Sequence, residues 1–172
     1  VASVVNFPNG ALNKQRTLRE IEYLVEANVD EIDVVFPHGA LLGHQQELCL
    51  DFIEAVRRAA GNKIVKVILE TGALKDPRWI RRAGEIALEG GADFLKTSTG
   101  VNHRGATLED CALLLQLLFE RPSYGAGLKI SGGVSTFEEA FNFVGLAIRM
   151  MGREWVTAEN FRIGSSTLYN AL

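Results

Sequence analysis

The feature that most constrains this chain is an alternation repeated from end to end. Six short runs rich in β-branched residues occur, and a segment of helical period follows each of the first five. The runs are VASVVNFP (1–8), EIDVVFP (31–37), KIVKVILETG (63–72), ADFLKTSTG (92–100), GLKISGG (127–133) and FRIGSS (161–166). Strands joined through helices, with no long linker, form βαβ units and a parallel sheet. Start signals mark the helices. Thr17 with Glu20 fits a capping box ahead of the stripe Leu18, Ile21, Leu24 and Val25, and Asp76-Pro77 is a cap with proline at the first helical position. Thr107 with Asp110 and Thr136 with Glu139 open two more helices, and Gly61, Gly90 and Gly152 close three, as residues free to take positive φ.

A doubly wound sheet and a barrel both satisfy this pattern. Strands buried on both faces of a doubly wound sheet read as near-continuous apolar runs. Here Asp33, Lys66, Glu70, Lys96 and Lys129 interrupt them. Because side chains alternate across a strand, Leu128 and Ile130 face one way and Lys129 the other, while Lys96 shares its face with Phe94 and Ser98. One face therefore meets helices and the other collects charge, as in a barrel whose site lies at the top. No GxGxxG follows the first strand, which argues against a dinucleotide fold. The expected class is α/β, a parallel (β/α)8 TIM barrel, in one domain over 1–172. Six strands are two short of eight, so the first two β/α units are expected to be missing. The strands should then lie side by side in sequence order, with 1–8 and 161–166 not meeting across a closed seam.

Composition excludes several classes. A formal charge of −3 gives no basic footprint for nucleic acid, and no apolar run approaches the length that spans a bilayer. The opening VASVVNFPNG lacks a basic leader region and reads as a strand. Cys49 and Cys111 each sit in a helical pattern and read as free buried thiols, which points to the cytoplasm.

Two lysines on inward faces of different strands carry the sharpest chemical signal. Burying an ammonium costs several kcal/mol unless it is paired or loses its proton, and a second lysine nearby eases that loss. A neutral amine attacks a carbonyl and forms an imine. Spacing leaves two readings open for Lys96 and Lys129, catalysis or plain ion pairing. The same choice stands for Asp33, which lies opposite Ile32, Val34 and Phe36 on its strand. Lys66 and Glu70 read as register-fixing partners of neighbouring strands. Gly132-Gly133 and Gly164-Ser165-Ser166 end the last two strands, the usual phosphate position of a barrel. His38, His44 and His103 lack metal-ligand spacing and read as loop or surface residues. The phenylalanines and Trp79 read as core.

The segments VNFPNG (5–10), EIDVVFP (31–37), KVILETGALKD (66–76), GADFLKTSTG (91–100), LKISGGVST (128–136) and RIGSSTL (162–168) resemble, in order, the motifs of the deoxyribose-phosphate aldolase family. The resemblance implies a metal-independent class I aldolase on a TIM barrel, needing no cofactor beyond a covalent imine. Such enzymes interconvert 2-deoxy-D-ribose 5-phosphate with acetaldehyde and D-glyceraldehyde 3-phosphate. By motif, Lys96 matches the Schiff-base lysine, Lys129 the second lysine that lowers its pKa, and Asp33 the proton-shuttling acid. Thr99, Gly100, Gly132, Gly133, Gly164 and Ser166 fall where the family binds phosphate. Val101 and Ser135 stand where some members carry a basic residue, which leaves Arg104 as a candidate substitute. Expected partners are small aldehydes and sugar phosphates, with no nucleic acid and no membrane. An open six-strand sheet exposes two edges, so a homo-oligomer is also expected. The alternatives are an aldolase-like barrel for a non-phosphorylated aldehyde, or an inactive barrel serving as an oligomeric or binding module.

Overall fold

A computed structural model describes residues 1–168. The β-branched runs form strands β1 (Ala2–Val5), β2 (Glu31–Val35), β3 (Ile64–Ile68), β4 (Phe94–Lys96), β5 (Gly127–Ser131) and β6 (Phe161–Gly164). All pair in parallel, in the order β1-β2-β3-β4-β5-β6. The sequence order expected from short crossovers is met, and β1 and β6 are the two ends of the sheet rather than neighbours. Helices α1 (Lys14–Glu26), α2 (His38–Leu42), α3 (Gln46–Ala60), α4 (Thr71–Leu74), α5 (Pro77–Glu89), α6 (Leu108–Glu120) and α7 (Phe137–Met151) fill the connections. The result is a curled part-barrel.

Register sorts the strand residues into two sets. Ile32, Val34, Val65, Val67, Leu95, Leu128 and Ile130 are wholly buried in the apolar cluster shared with the helices. Burying each such side chain stabilises the fold by about 1.5–3 kcal/mol. The alternate positions, including Glu31, Asp33, Lys66, Phe94, Lys96, Lys129 and Arg162, turn to the concave side. Val4 lies in register with Asp33 on the end strand and is 43% exposed, so the concave side is open there.

The strands are shorter than the runs that announced them, because the last residues of each run leave the ladder to build the loops at the top. Three caps hold as expected. Asp76 accepts from Arg78 N–H, Thr107 from Asp110 N–H, and Thr136 with Glu139 forms a full capping box. Others differ. Helix α1 starts one turn early, capped by Asn13, so Thr17 lies inside the helix and its hydroxyl donates to the Asn13 carbonyl. Glu20 instead accepts from Asn6 N–H in the loop after β1. Gly90 is right-handed at φ −78°, and the following Gly91 takes the positive φ. Phe119, Phe137 and Phe141 are exposed rather than core. Cys49 and Cys111 are buried free thiols. No helix among the described residues is long and apolar enough to cross a membrane.

Candidate active site

The concave face brings the three expected chemical residues into one contact. Lys96 on β4 and Lys129 on β5 occupy paired positions, and each ammonium lies 2.8 Å from the same oxygen of Asp33, Oδ2. The other oxygen, Oδ1, accepts from Lys66 Nζ at 2.6 Å. Lys66 is wholly buried and lies 2.5 Å from Glu31, which also accepts from Arg162 at 2.6 Å. Arg162 in turn stacks over the Phe94 ring, 4.6 Å from its centroid. One chain of charges thus crosses the interior, from Arg162 through Glu31, Lys66 and Asp33 to Lys96 and Lys129.

Four cationic side chains and two carboxylates make up this chain, and burial together with the adjoining charges sets the protonation of Asp33 and Lys96. Burial pushes the Asp33 carboxyl up, but Lys96, Lys129 and Lys66 outweigh it and hold the group well below the usual carboxylate range. Burial pushes Lys96 below the usual lysine value. Asp33 opposes that shift, while Lys129 and Lys66 add to it by repulsion, and the net direction is down. An amine that holds its proton less tightly than an ordinary lysine, beside a carboxylate that stays ionised, suits attack on a carbonyl with proton transfer by its neighbours.

The loops above this cluster pack backbone against backbone. A Cβ on Gly105 would lie 2.2 Å from the Gly132 carbonyl oxygen, so that contact admits only glycine. Gly100, Gly132 and Gly133 take φ near +80°, which glycine adopts without strain. Thr97 and Ser131 tie the ends of β4 and β5 together through reciprocal bonds, and the Ser131 hydroxyl donates to the Ser98 carbonyl. A cleft of about 390 Å³ lies there, lined by Lys96 and Lys129 at its base and by Thr99, Gly100, Gly132, Gly133, Gly164, Ser165 and Ser166 above. All ten residues singled out from the sequence except Asp33 therefore line one cleft, and Asp33 lies against its floor.

Their donors are not equivalent. Both Thr99 donors, N–H and Oγ1–H, turn to the buried Glu70 carboxylate, so Thr99 anchors the loop. The Ser165 hydroxyl donates to the Val134 carbonyl and accepts from Thr167 and Leu168 N–H, so it caps the start of the next turn. Among the described residues the N–H groups of Gly132, Gly133, Ser165 and Ser166 meet no acceptor, which suits an anion. Arg104 does not supply the missing charge, since its guanidinium is held by Asp110 at 2.7 Å.

Sequence reading misses Glu31, Arg162 and Ser131, and gives Lys66 only a register role. Strand alternation carries the signal for the first two: Glu31 lies two residues before Asp33, and Arg162 stands between the outward Phe161 and Ile163.

A family model described as DeoC/LacD family aldolase matches residues 1–156. Among solved structures, "QR15, an Aldolase" aligns with a TM-score of 0.82 at 28% identity, over 99% of this chain and 72% of that one. A Toxoplasma gondii protein named "putative deoxyribose-phosphate aldolase" aligns with a TM-score of 0.89 at 29% identity, over 95% of this chain and 65% of that one. The deoxyribose phosphate aldolase of Aeropyrum pernix, described as a unique tetramer, aligns with a TM-score of 0.74 at 28% identity, over 94% of this chain and 62% of that one. The chain thus spans about two thirds of the length of these relatives. With its match to the family model over most of its length, the chain belongs to the DeoC/LacD family of aldolases.

Proposed function

We propose that this chain is a class I aldolase that cleaves 2-deoxy-D-ribose 5-phosphate to acetaldehyde and D-glyceraldehyde 3-phosphate and catalyses the reverse condensation. The observation that carries the reading is the placement of Lys96 and Lys129 on one oxygen of Asp33, beneath loops with free N–H groups. The neutral Lys96 amine attacks the C1 aldehyde, and loss of water from the carbinolamine gives an iminium. The C2–C3 bond then breaks, its electron pair moving into the iminium to form an enamine as the C3 hydroxyl loses its proton and becomes the aldehyde of the three-carbon product. Protonation of the enamine at C2 and addition of water release acetaldehyde and the free amine. Asp33 stays ionised and pairs with Lys129, so the two exchange protons with water near the reacting carbon. This chemistry needs no metal. The phosphate rests on the N–H groups of Gly132, Gly133, Ser165 and Ser166, with Gly100 and Gly164 shaping the cleft and Thr99 anchoring its rim.

The cytoplasm is the proposed compartment, in keeping with two free thiols. Self-association is proposed as well, since the A. pernix relative is a tetramer and β1 and β6 end the sheet here. The functional test compares acetaldehyde release from 2-deoxyribose 5-phosphate and from 2-deoxyribose. Faster release from the phosphate ester supports this reading. Equal release favours the non-phosphorylated aldehyde alternative, and release from neither refutes both.

A further inference from the structure

The charge chain does not stop at the residues that touch substrate. Lys66 is wholly buried, and its ammonium divides between Asp33 on one side and Glu31 on the other. Glu31 is itself shared with Arg162, whose place is secured by a bond from Nε to the Ala158 carbonyl and by the Phe94 ring. Arg162 also lies in register with Lys129 on the adjacent strand. The ion pair joins β2 to β6 across the curl of the sheet.

We propose that the Arg162–Glu31 pair is a positioning element for Lys96: it sets the charge balance of the interior and holds Lys66 against Asp33. The proposal rests on the Schiff-base reading above. Lys96 is faced by Asp33 from β2, Lys66 from β3 and Lys129 from β5; Glu31 from β2 and Arg162 from β6 lie further along the same chain of ion pairs, beyond Lys66, and the exposed Glu159 acts on Arg162 from outside. Removing Arg162 takes one positive charge from this set, and removing the Glu31 charge takes one negative charge. The two members of a single ion pair must therefore move Lys96 in opposite directions. Loss of packing has no such sign.

The test is competitive acetylation of the folded chain with trace acetic anhydride across a pH series, reading the Lys96 peptide by mass spectrometry to obtain its titration midpoint. Arg162→Met should raise the midpoint by about one unit, equivalent to about tenfold less neutral amine at pH 7. Glu31→Gln should lower it, and the double variant should return it close to wild type. In activity, Arg162→Met should lose about tenfold in kcat/KM near pH 7 and recover at alkaline pH. Single variants that shift the midpoint in the same direction, or an unmoved midpoint in Glu31→Gln, would overturn the proposal. If circular dichroism shows that Arg162→Met does not fold, Glu31→Gln and the double variant decide the question. Borohydride trapping of acetaldehyde on the wild-type chain judges the functional reading separately. A missing Lys96 adduct there ends that reading, while the acetylation midpoints still report on the charge chain.

Discussion

The two faces of one sheet differ as much as any two regions of this molecule. On the helix side, Ile32, Val34, Val65, Val67, Leu95, Leu128 and Ile130 are wholly buried among apolar neighbours. One residue along each strand, on the concave side, Glu31, Asp33, Lys66, Lys96, Lys129 and Arg162 form a continuous chain of ion pairs. The outer face gains free energy from area removed from water. The inner face bears desolvated charge, which is weak support for stability but loosens the hold of Lys96 on its proton. Stability and chemistry are thus divided by residue parity, and substitutions on the two faces should have different signatures.

The largest contrast is expected at Lys96. Lys96→Leu should cost roughly 10³-fold or more in turnover, as removal of a covalent nucleophile does. It should leave the thermal midpoint at neutral pH at or above wild type. The lysine value in the fold is depressed below its ordinary 10.5, so the unfolded chain binds more protons between the two values. Wild-type stability therefore rises with pH up to about that ordinary value, and the leucine variant lacks this rise. Denaturant unfolding across alkaline pH measures both effects, and a marked loss of stability at neutral pH would break the division between faces.

Leu128→Ala should behave in the opposite way. It should lose about 2–5 kcal/mol of stability by urea titration, as cavity-forming core substitutions do, with acetaldehyde still captured by the folded fraction. Asp33 joins the two behaviours. Its carboxyl is held below the ordinary 3.8, so its stabilisation is present above that value and is lost as pH falls through it toward the folded value. Asp33→Asn should remove that acid-side slope. It should also destabilise by about 3–5 kcal/mol at neutral pH, because Lys66, Lys96 and Lys129 lose their shared partner.

A smaller effect is expected at the rim. Gly105→Ala forces the loop off the Gly132 carbonyl, at 2.2 Å from the added Cβ, and should reduce any preference for a phosphorylated substrate by roughly tenfold or less. A ratio of rates on 2-deoxyribose 5-phosphate and 2-deoxyribose reads this directly. An unchanged ratio would remove these loops from phosphate recognition.

Parity is legible in the sequence, which is why strand alternation alone sets Lys96, Lys129 and Asp33 on one face. The order of the strands follows from the same alternation, through short crossovers. Partners across the interior are not legible. Glu31 and Arg162 are separated by 131 residues and meet only because the sheet curls, so no local pattern joins them. Thr99 and Ser165 carry hydroxyls at the expected loop positions, yet those hydroxyls serve Glu70 and the Val134 carbonyl, a choice made by the loop backbone. The start of α1 is ambiguous in the sequence because Thr17 and Asn13 both offer a capping oxygen, and the chain uses the earlier one. Helical period marks the apolar residues of α6 and α7 but not whether another element covers them, so Phe119, Phe137 and Phe141 read as core and stand exposed.

The most direct measurement is reduction of the chain with borohydride in the presence of acetaldehyde at neutral pH, followed by peptide mass mapping. A single ethyl adduct is expected on Lys96, absent in Lys96→Leu and slower to form in Lys129→Leu at neutral pH than at alkaline pH. An adduct on Lys129 or Lys66 instead, or the same adduct yield from Lys96→Leu, would contradict this assignment.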